Sequence, residues 1–190
     1  MLYADIITFF LKNDLENILG RSYLHQNGFS KIVLFKSIDC QIRLHIWDGN
    51  HKEEENIHNH RFNFNSSILQ GQYREEIFEQ DSFNGDDYFA YSYAPKSELN
   101  YELIRQENIK LKKVGRFTYK EGEGVSRQAS VLHKVSPISS VVCSLLVASG
   151  NVNNQCLVLS EKEIITNVNT SNLHESELRY LIKNHLKIEI

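Results

Sequence analysis

The apolar positions at the two ends of the chain follow a helical spacing. Between residues 4 and 19 they recur every three or four residues, and Gly20 follows where a helix could end. The same spacing returns near the C-terminus, where Ser171 or Asn172 could supply an N-cap. The sequence therefore predicts an amphipathic helix over 4–19 and a second helix over about 173–187.

The middle of the chain, from about residue 30 to residue 160, has a different period. Apolar and polar residues alternate there within short segments, and clusters of Gly, Asn and Asp lie between the segments. Strands are predicted over 31–37, 41–47, 56–63, 66–70, 72–79, 88–93, 98–105, 115–119, 130–135, 141–148 and 155–159. Because no helices separate these strands, they must close into a barrel or pack as two sheets to bury their inner faces. We expect a mainly β protein, an antiparallel barrel or jelly roll in one domain over 1–190.

Composition and charge exclude several classes of protein. The 190 residues carry a formal charge of −3, so no excess of basic residues is available for a nucleic acid. The longest apolar run, at about 141–148, is far shorter than the ~20 residues that cross a bilayer. The N-terminus has no basic segment typical of a secretory signal, and the three cysteines form no paired motif. We expect a cytoplasmic protein with reduced thiols and neither a nucleic-acid nor a membrane partner, and leave open whether it forms a homodimer.

Three of the eight histidines have a pattern that fits a metal site. His58 and His60 lie two apart in a predicted strand and so point to the same face. His133 alternates with apolar Val131 and Val135, which places it on an inward face. Three neutral imidazoles from two distant segments suit a divalent transition metal. The alternative is that these histidines lie at the surface or serve only as hydrogen-bonding groups.

Four segments that surround these histidines share a pattern with a known superfamily. They are 42–49 (Ile-Arg-Leu-His-Ile-Trp-Asp-Gly), 57–60 (Ile-His-Asn-His), 68–71 (Ile-Leu-Gln-Gly) and 132–135 (Leu-His-Lys-Val). The pattern resembles the cupin superfamily, most closely its three-histidine, cysteine dioxygenase-type branch. The resemblance implies a double-stranded β-helix, with Fe(II) on His58, His60 and His133. Zn, Ni or Mn are alternatives. The glutamate that follows the His-x-His pair in many cupins is absent from 61–67, which favours the three-histidine variant.

The sequence also departs from that branch at positions near the substrate. Lys31 aligns with the arginine that binds the substrate carboxylate in that branch. A lysine keeps the positive charge but cannot form the bidentate hydrogen bonds of a guanidinium. Of the branch's Ser-His-Tyr relay, the alignment leaves only Ser144. These departures argue against cysteine or a close thiol as the substrate.

The segment 42–47 supplies further candidates for the substrate site. Arg43, His45 and Trp47 share one face of a predicted strand, and positions 42, 44 and 46 on the other face are apolar. Either face could line the cavity. Because three neutral ligands leave the metal its full charge, we expect an anionic substrate and name Lys31, Arg43 and His45 as its binding residues.

Two other segments have less specific interpretations. The acidic run at 53–55 is predicted to be a solvated loop. The acidic, aromatic segment 81–93 is predicted to be a lid, a partner surface or an exposed hairpin.

Together these patterns lead to one functional hypothesis and two alternatives. The first is a cupin-type, non-haem iron oxygenase or dioxygenase that acts on a small anionic molecule, with its catalytic residues unassigned. The second is a metal-dependent isomerase, lyase or decarboxylase. The third is a non-catalytic cupin that binds a small molecule, or a protein partner through 81–93.

Overall fold

A computed structural model of the chain describes residues 2–49, 55–97, 99–153 and 155–189. Its helices and strands are α1 (Leu2–Arg21), β1 (Tyr23–His25), β2 (Phe29–Lys36), β3 (Cys40–Trp47), β4 (Ile57–His58), β5 (Phe64–Gln70), β6 (Gln72–Gln80), β7 (Asp86–Pro95), β8 (Asn100–Arg105), β9 (Ile109–Lys120), β10 (Gly124–Arg127), β11 (Leu132–Pro137), β12 (Val142–Ser149), β13 (Leu157–Ser160), β14 (Asn167–Asn169) and α2 (Glu175–Leu181). The mainly β prediction is confirmed.

The strands form two antiparallel sheets whose order defines the fold. One sheet runs β1-β2-β3-β12-β5-β10 and the other runs β13-β4-β11-β6-β9-β7-β8-β14. From β3 to β12 the chain passes repeatedly from one sheet to the other. The strands β3-β12-β5-β10 of the first sheet therefore face β4-β11-β6-β9 of the second. This interleaving of eight strands is a jelly roll, also called a double-stranded β-helix. The predicted fold class is therefore confirmed by the strand order.

The N-terminal helix covers the outer face of the first sheet. Apolar side chains of α1, such as Ile7 and Leu11, pack in one cluster with Leu44 and Ile46 of β3. Burial of these apolar side chains drives the packing of the helix against the sheet. The helix continues through Gly20 to Arg21, so the prediction that Gly20 ends it is wrong.

The C-terminal helix is shorter than predicted and is capped differently. The backbone N–H of His174, the N-cap, donates to Glu177 Oε2 at 2.7 Å, and a π-helical turn over Ile182–Leu186 follows α2. The prediction of Ser171 or Asn172 as the N-cap is wrong. The Asn172 amide instead donates to the carbonyl oxygen of Leu19 at 2.7 Å, which ties this segment to the end of α1.

The segment 81–93 is part of the barrel wall. From residue 86 it forms β7, which pairs with β8, β9 and β13 and buries Tyr88, Ala90 and Tyr91. The predictions of a lid and of an exposed hairpin are therefore wrong for this strand. The turn before it does project outward, and Phe83 there is 92% exposed.

Some strand boundaries also differ from the prediction. The predicted strand 56–63 is reduced to β4, and Glu98 of the predicted strand 98–105 lies outside the described residues. Three very short strands, β1, β10 and β14, were not predicted because three or four residues show no clear alternation. The three cysteines are free thiols, as expected. Among the described residues, no helix is both long and apolar enough to cross a membrane.

Candidate metal centre

A cavity of about 180 Å³ lies between the two sheets. Strand β3 explains its polar wall, because alternation sends Leu44 and Ile46 to the helices and Arg43, His45 and Trp47 to the cavity. The sequence left open which face of this strand lines the cavity, and the structure shows that it is the face of these three residues. The wall around them is rich in aromatic rings.

Three histidines meet at one side of this cavity. His58 on β4 lies directly opposite His133 on β11, and His60 follows two residues later. Each offers one ring nitrogen, and these three nitrogens lie within 4.8 Å of one another. Nε2 of His60 and Nε2 of His133 are 2.9 Å apart. The group that the sequence predicted is therefore assembled in space.

The way in which His60 reaches the group differs from the prediction. The strand ends at His58, and irregular backbone carries His60 into place. The Asn59 backbone N–H donates to Leu157 at 3.2 Å, and the His60 N–H donates to Ala129 at 2.9 Å. Strand β13 and the loop before β11 thus hold this segment in place, instead of simple strand alternation.

Hydrogen bonds fix which nitrogen two of the rings present. His58 Nδ1 lies 3.0 Å from the Asn56 carbonyl oxygen, and His133 Nδ1 lies 2.7 Å from Glu75 Oε1. Both oxygens accept hydrogen bonds, so each Nδ1 carries a proton and Nε2 is the ring nitrogen that each histidine can offer to a metal. Burial lowers the pKa of His58 to about 3 and holds the pKa of His60 well below its usual range. His58 and His60 are therefore neutral at pH 7.

Glu75 is a buried carboxylate behind the histidine group. It is 1% exposed, and its Oε1 accepts from both His133 Nδ1 and Arg127 Nε, at 2.7 and 2.9 Å. Its Oε2 forms an ion pair with Arg127 Nη2. Arg127 Nη2 also donates to the Tyr119 hydroxyl at 2.8 Å. Burial alone would raise the pKa of Glu75, but the hydrogen bonds from His133 and Arg127 outweigh it and lower the pKa.

This donor set fits a divalent transition metal. Neutral imidazole is a preferred ligand of such ions, and a carboxylate behind a ligating imidazole orients the ring. Two nitrogens bound to one ion at ~2.0–2.1 Å are roughly 3 to 3.4 Å apart, close to the 2.9 Å that separates His60 from His133. His58, His60 and His133 can therefore hold a metal ion together.

The predicted substrate residues all lie on the cavity wall. Lys31 pairs in register with His45, and its Nζ donates to the Tyr23 hydroxyl at 2.8 Å. Strand β2 lies between β1 and β3, so Lys31 is not on an edge strand. Ser144 on β12 is also buried on this wall, opposite His45.

Glu55 corrects the prediction of a solvated acidic loop. Glu53 and Glu54 lie outside the described residues, but Glu55 is 8% exposed and lines the cavity. Its carboxyl accepts from the Asn27 amide at 3.2 Å and from the Val135 backbone N–H. Burial raises its pKa to about 7. A run of three glutamates looks solvated in sequence, because nothing local shows that the last of them turns inward.

Glu75 was also missed by the sequence analysis. A pattern was available, because 73–78 alternates and Glu75 shares a face with apolar Tyr73 and Ile77. An acidic residue on an inward face needs a partner, and that partner comes from β10 and β11, some fifty positions later.

Comparison with known proteins gives a likeness of fold. No family model and no curated protein sequence matches the chain. Hydroquinone 1,2-dioxygenase from Sphingomonas sp. TTNP3 with 4-hydroxybenzoate bound has 10% identity and a TM-score of 0.42, over 64% of this chain and 66% of that chain. An HTH_3 family transcriptional regulator from Vibrio cholerae has 8% identity and a TM-score of 0.42, over 73% and 61%. This chain therefore spans less than two thirds of either protein.

A third structure matches a larger share of its own length. An uncharacterized conserved protein with a double-stranded β-helix domain from Klebsiella pneumoniae has 11% identity and a TM-score of 0.40, over 76% of this chain and 95% of that chain. These identities are too low to carry residue roles. The interleaved order of its barrel strands makes the fold of this chain a double-stranded β-helix.

Proposed function

We propose that this protein is a metal-dependent oxygenase that holds Fe(II) on His58, His60 and His133 and acts on a small anionic molecule. The observation that carries the proposal is the convergence of three ring nitrogens beside the cavity between the two sheets. When bound, ferrous iron supplies the one-electron chemistry that activates dioxygen. A site with three protein ligands leaves coordination positions for small molecules.

The chain's own residues supply binding, orientation and exclusion of water. Lys31 and Arg43 place positive charge on the cavity wall, which favours an anion. Aromatic side chains such as Phe29 and Trp47 form dry surfaces around it. Glu75 keeps the proton on His133 Nδ1, so that Nε2 stays available as a ligand.

Oxygen uptake tests this proposal directly. Protein loaded anaerobically with Fe(II) is expected to consume oxygen when a panel of small carboxylates is added, and His133→Ala is expected to lose this uptake. Zn(II)-loaded protein is the matched control because zinc has no redox chemistry. Product formation at equal rates with zinc and with iron, without oxygen uptake, would refute an oxygenase.

A second function has one specific observation in its favour. Glu55 is a buried carboxyl on the cavity wall, and a group of this kind can accept and return a proton near neutral pH. An isomerase, lyase or decarboxylase that uses its metal as a Lewis acid would need such a group. The zinc-loaded protein above distinguishes it from the oxygenase, and Glu55→Gln would then abolish product formation.

A further inference from the structure

Arg43 is a buried cation with no acidic partner among the described residues. It is 7% exposed. Its Nε donates to the Gln41 amide oxygen at 2.9 Å, and its Nη2 donates to the same oxygen. The guanidinium lies over the Phe62 ring, 4.4 Å from its centroid. A buried charge without a counter-ion is costly, and the remaining N–H groups match a planar carboxylate. An anionic ligand would remove that cost.

His45 is a second unsatisfied group on the same face of β3. Its Nε2 is buried and has no hydrogen-bond partner among the residues that the structure describes. Its ring packs against Phe29, with centroids 4.6 Å apart, and against Trp47, at 5.9 Å. Buried polar nitrogens in proteins are nearly always paired, so this unpaired nitrogen points to a partner that the described part of the chain does not supply. The partner would be an oxygen of the molecule that Arg43 binds.

The acidic groups on the cavity wall are already engaged. Among the described lining residues they are Glu55, held by Asn27 and the Val135 N–H, and Glu75, held by His133 and Arg127. An ammonium group brought into this cavity would find positive charge at Arg43 and Lys31 and, among the described lining residues, no unengaged carboxylate. The wall thus disfavours amino acids and favours a simple carboxylate.

The size and the walls of the cavity limit the rest of the ligand. At about 180 Å³ the cavity is slightly larger than the ~150 Å³ that holds a benzene ring in a protein interior. Several rings line it, among them Phe29, Trp47, Phe62 and Tyr73. Aromatic rings pack favourably against a flat apolar body of this size.

From these observations we infer that the cavity binds a small aromatic monocarboxylate that has no ammonium group. Arg43 and His45 hold the carboxylate, and the ring lies among the aromatic walls beside the three histidines. The inference rests on the proposed function because it names the substrate class of the same site. Binding to the metal-free protein tests it separately.

Calorimetric titration of chelator-treated protein with matched ligands provides the test. Benzoate is expected to bind, and benzamide, its neutral counterpart of equal size, to bind at least about tenfold more weakly. Phenylacetate is expected to bind at least about tenfold more tightly than phenylglycine, which differs by one ammonium. Failure of benzoate to bind, or equal affinity within either pair, would overturn the inference.

Variants of the two binding residues complete the test. Arg43→Met is expected to weaken benzoate binding by about ten- to a hundredfold, and Arg43→Lys by less, because lysine keeps the charge and loses the fork. Arg74→Met is the control, since Arg74 is exposed on β6 and does not line the cavity. His45→Phe preserves the ring and removes the nitrogen, and it serves in place of Arg43→Met if that variant fails to fold.

The outcomes separate this inference from the metal proposal. Binding of benzoate to metal-free protein that depends on Arg43 supports the inference even if no metal is ever found. Binding that requires metal and is the same in Arg43→Met and wild type would overturn the inference, because the carboxylate would then bind the ion alone. That second result would leave the oxygenase proposal standing.

Discussion

Substitution of Glu75 by glutamine should loosen the metal site without removing any ligand. Glu75 accepts from His133 Nδ1 at 2.7 Å and from Arg127 Nε at 2.9 Å. A glutamine offers one acceptor oxygen and one NH₂ donor. If the NH₂ takes the place of Oε1, it faces both His133 Nδ1 and Arg127 Nε, so the ring must accept at Nδ1 and move its proton to Nε2, which blocks the ligand position. If the NH₂ takes the place of Oε2, it faces Arg127 Nη2, and two donors oppose each other in a buried place.

The expected loss follows from the role of such carboxylates. Removal of the partner behind a metal-bound histidine typically costs about 10- to 100-fold in metal affinity. The substitution also weakens the ion pair with Arg127, in which the Glu75 carboxylate is buried. The metal-free protein should therefore lose about 1–3 kcal/mol of unfolding free energy. The two effects are separable, because only the first depends on metal concentration.

Competition for Zn(II) against a chromogenic chelator measures the affinity, and urea unfolding of chelator-treated protein measures the stability. Glu76→Gln is the matched control on the neighbouring position of β6. Glu76 pairs with Lys113 at 2.9 Å and Arg116 at 2.8 Å, away from the histidines. Equal zinc affinity in Glu75→Gln and Glu76→Gln would refute the role that we assign to Glu75.

Three further predictions concern the metal, the pH and the anion. Chelation should lower Tm without unfolding the chain at room temperature, because both sheets have cores without metal; loss of the near-ultraviolet circular dichroism would contradict this. Burial raises the pKa of Glu55 from 4.5 to about 7, so its contribution of about 3 kcal/mol to folding should be lost as pH rises through that window. Urea titrations at pH 5 and pH 8 should show that Glu55→Gln lacks this decline, and an unchanged decline would exclude Glu55 as its source. Lys31→Met should weaken benzoate binding to metal-loaded protein by about ten- to a hundredfold at unchanged metal content, and equal affinities by calorimetry would remove Lys31 from the site.

Local patterns predicted the parts of this protein that alternation and helical spacing control. The inward direction of His133 follows from apolar neighbours on the same face of one strand, and α1 follows from its apolar stripe. The histidine trio could therefore be named before its geometry was known. The pairing of β4 with β11 then brings His58 opposite His133.

Other features depend on contacts between distant segments and could not be read locally. Glu55 turns inward because Asn27 and the backbone of Val135 bind it, and neither is near it in sequence. The place of the segment 81–93 in the barrel wall was not predicted, because its sheet partners β9 and β13 follow later in the chain. The N-cap of α2 is displaced because Asn172 is drawn to the end of α1.

The metal content of purified protein tests the central claim most directly. Elemental analysis of wild type should find about one divalent transition ion per chain. His60→Ala leaves two ligands and should lose most of that metal, whereas His174→Ala, which changes an exposed histidine before α2, should keep it. Equal metal content in wild type and His60→Ala would contradict the assignment of His58, His60 and His133 as a metal site.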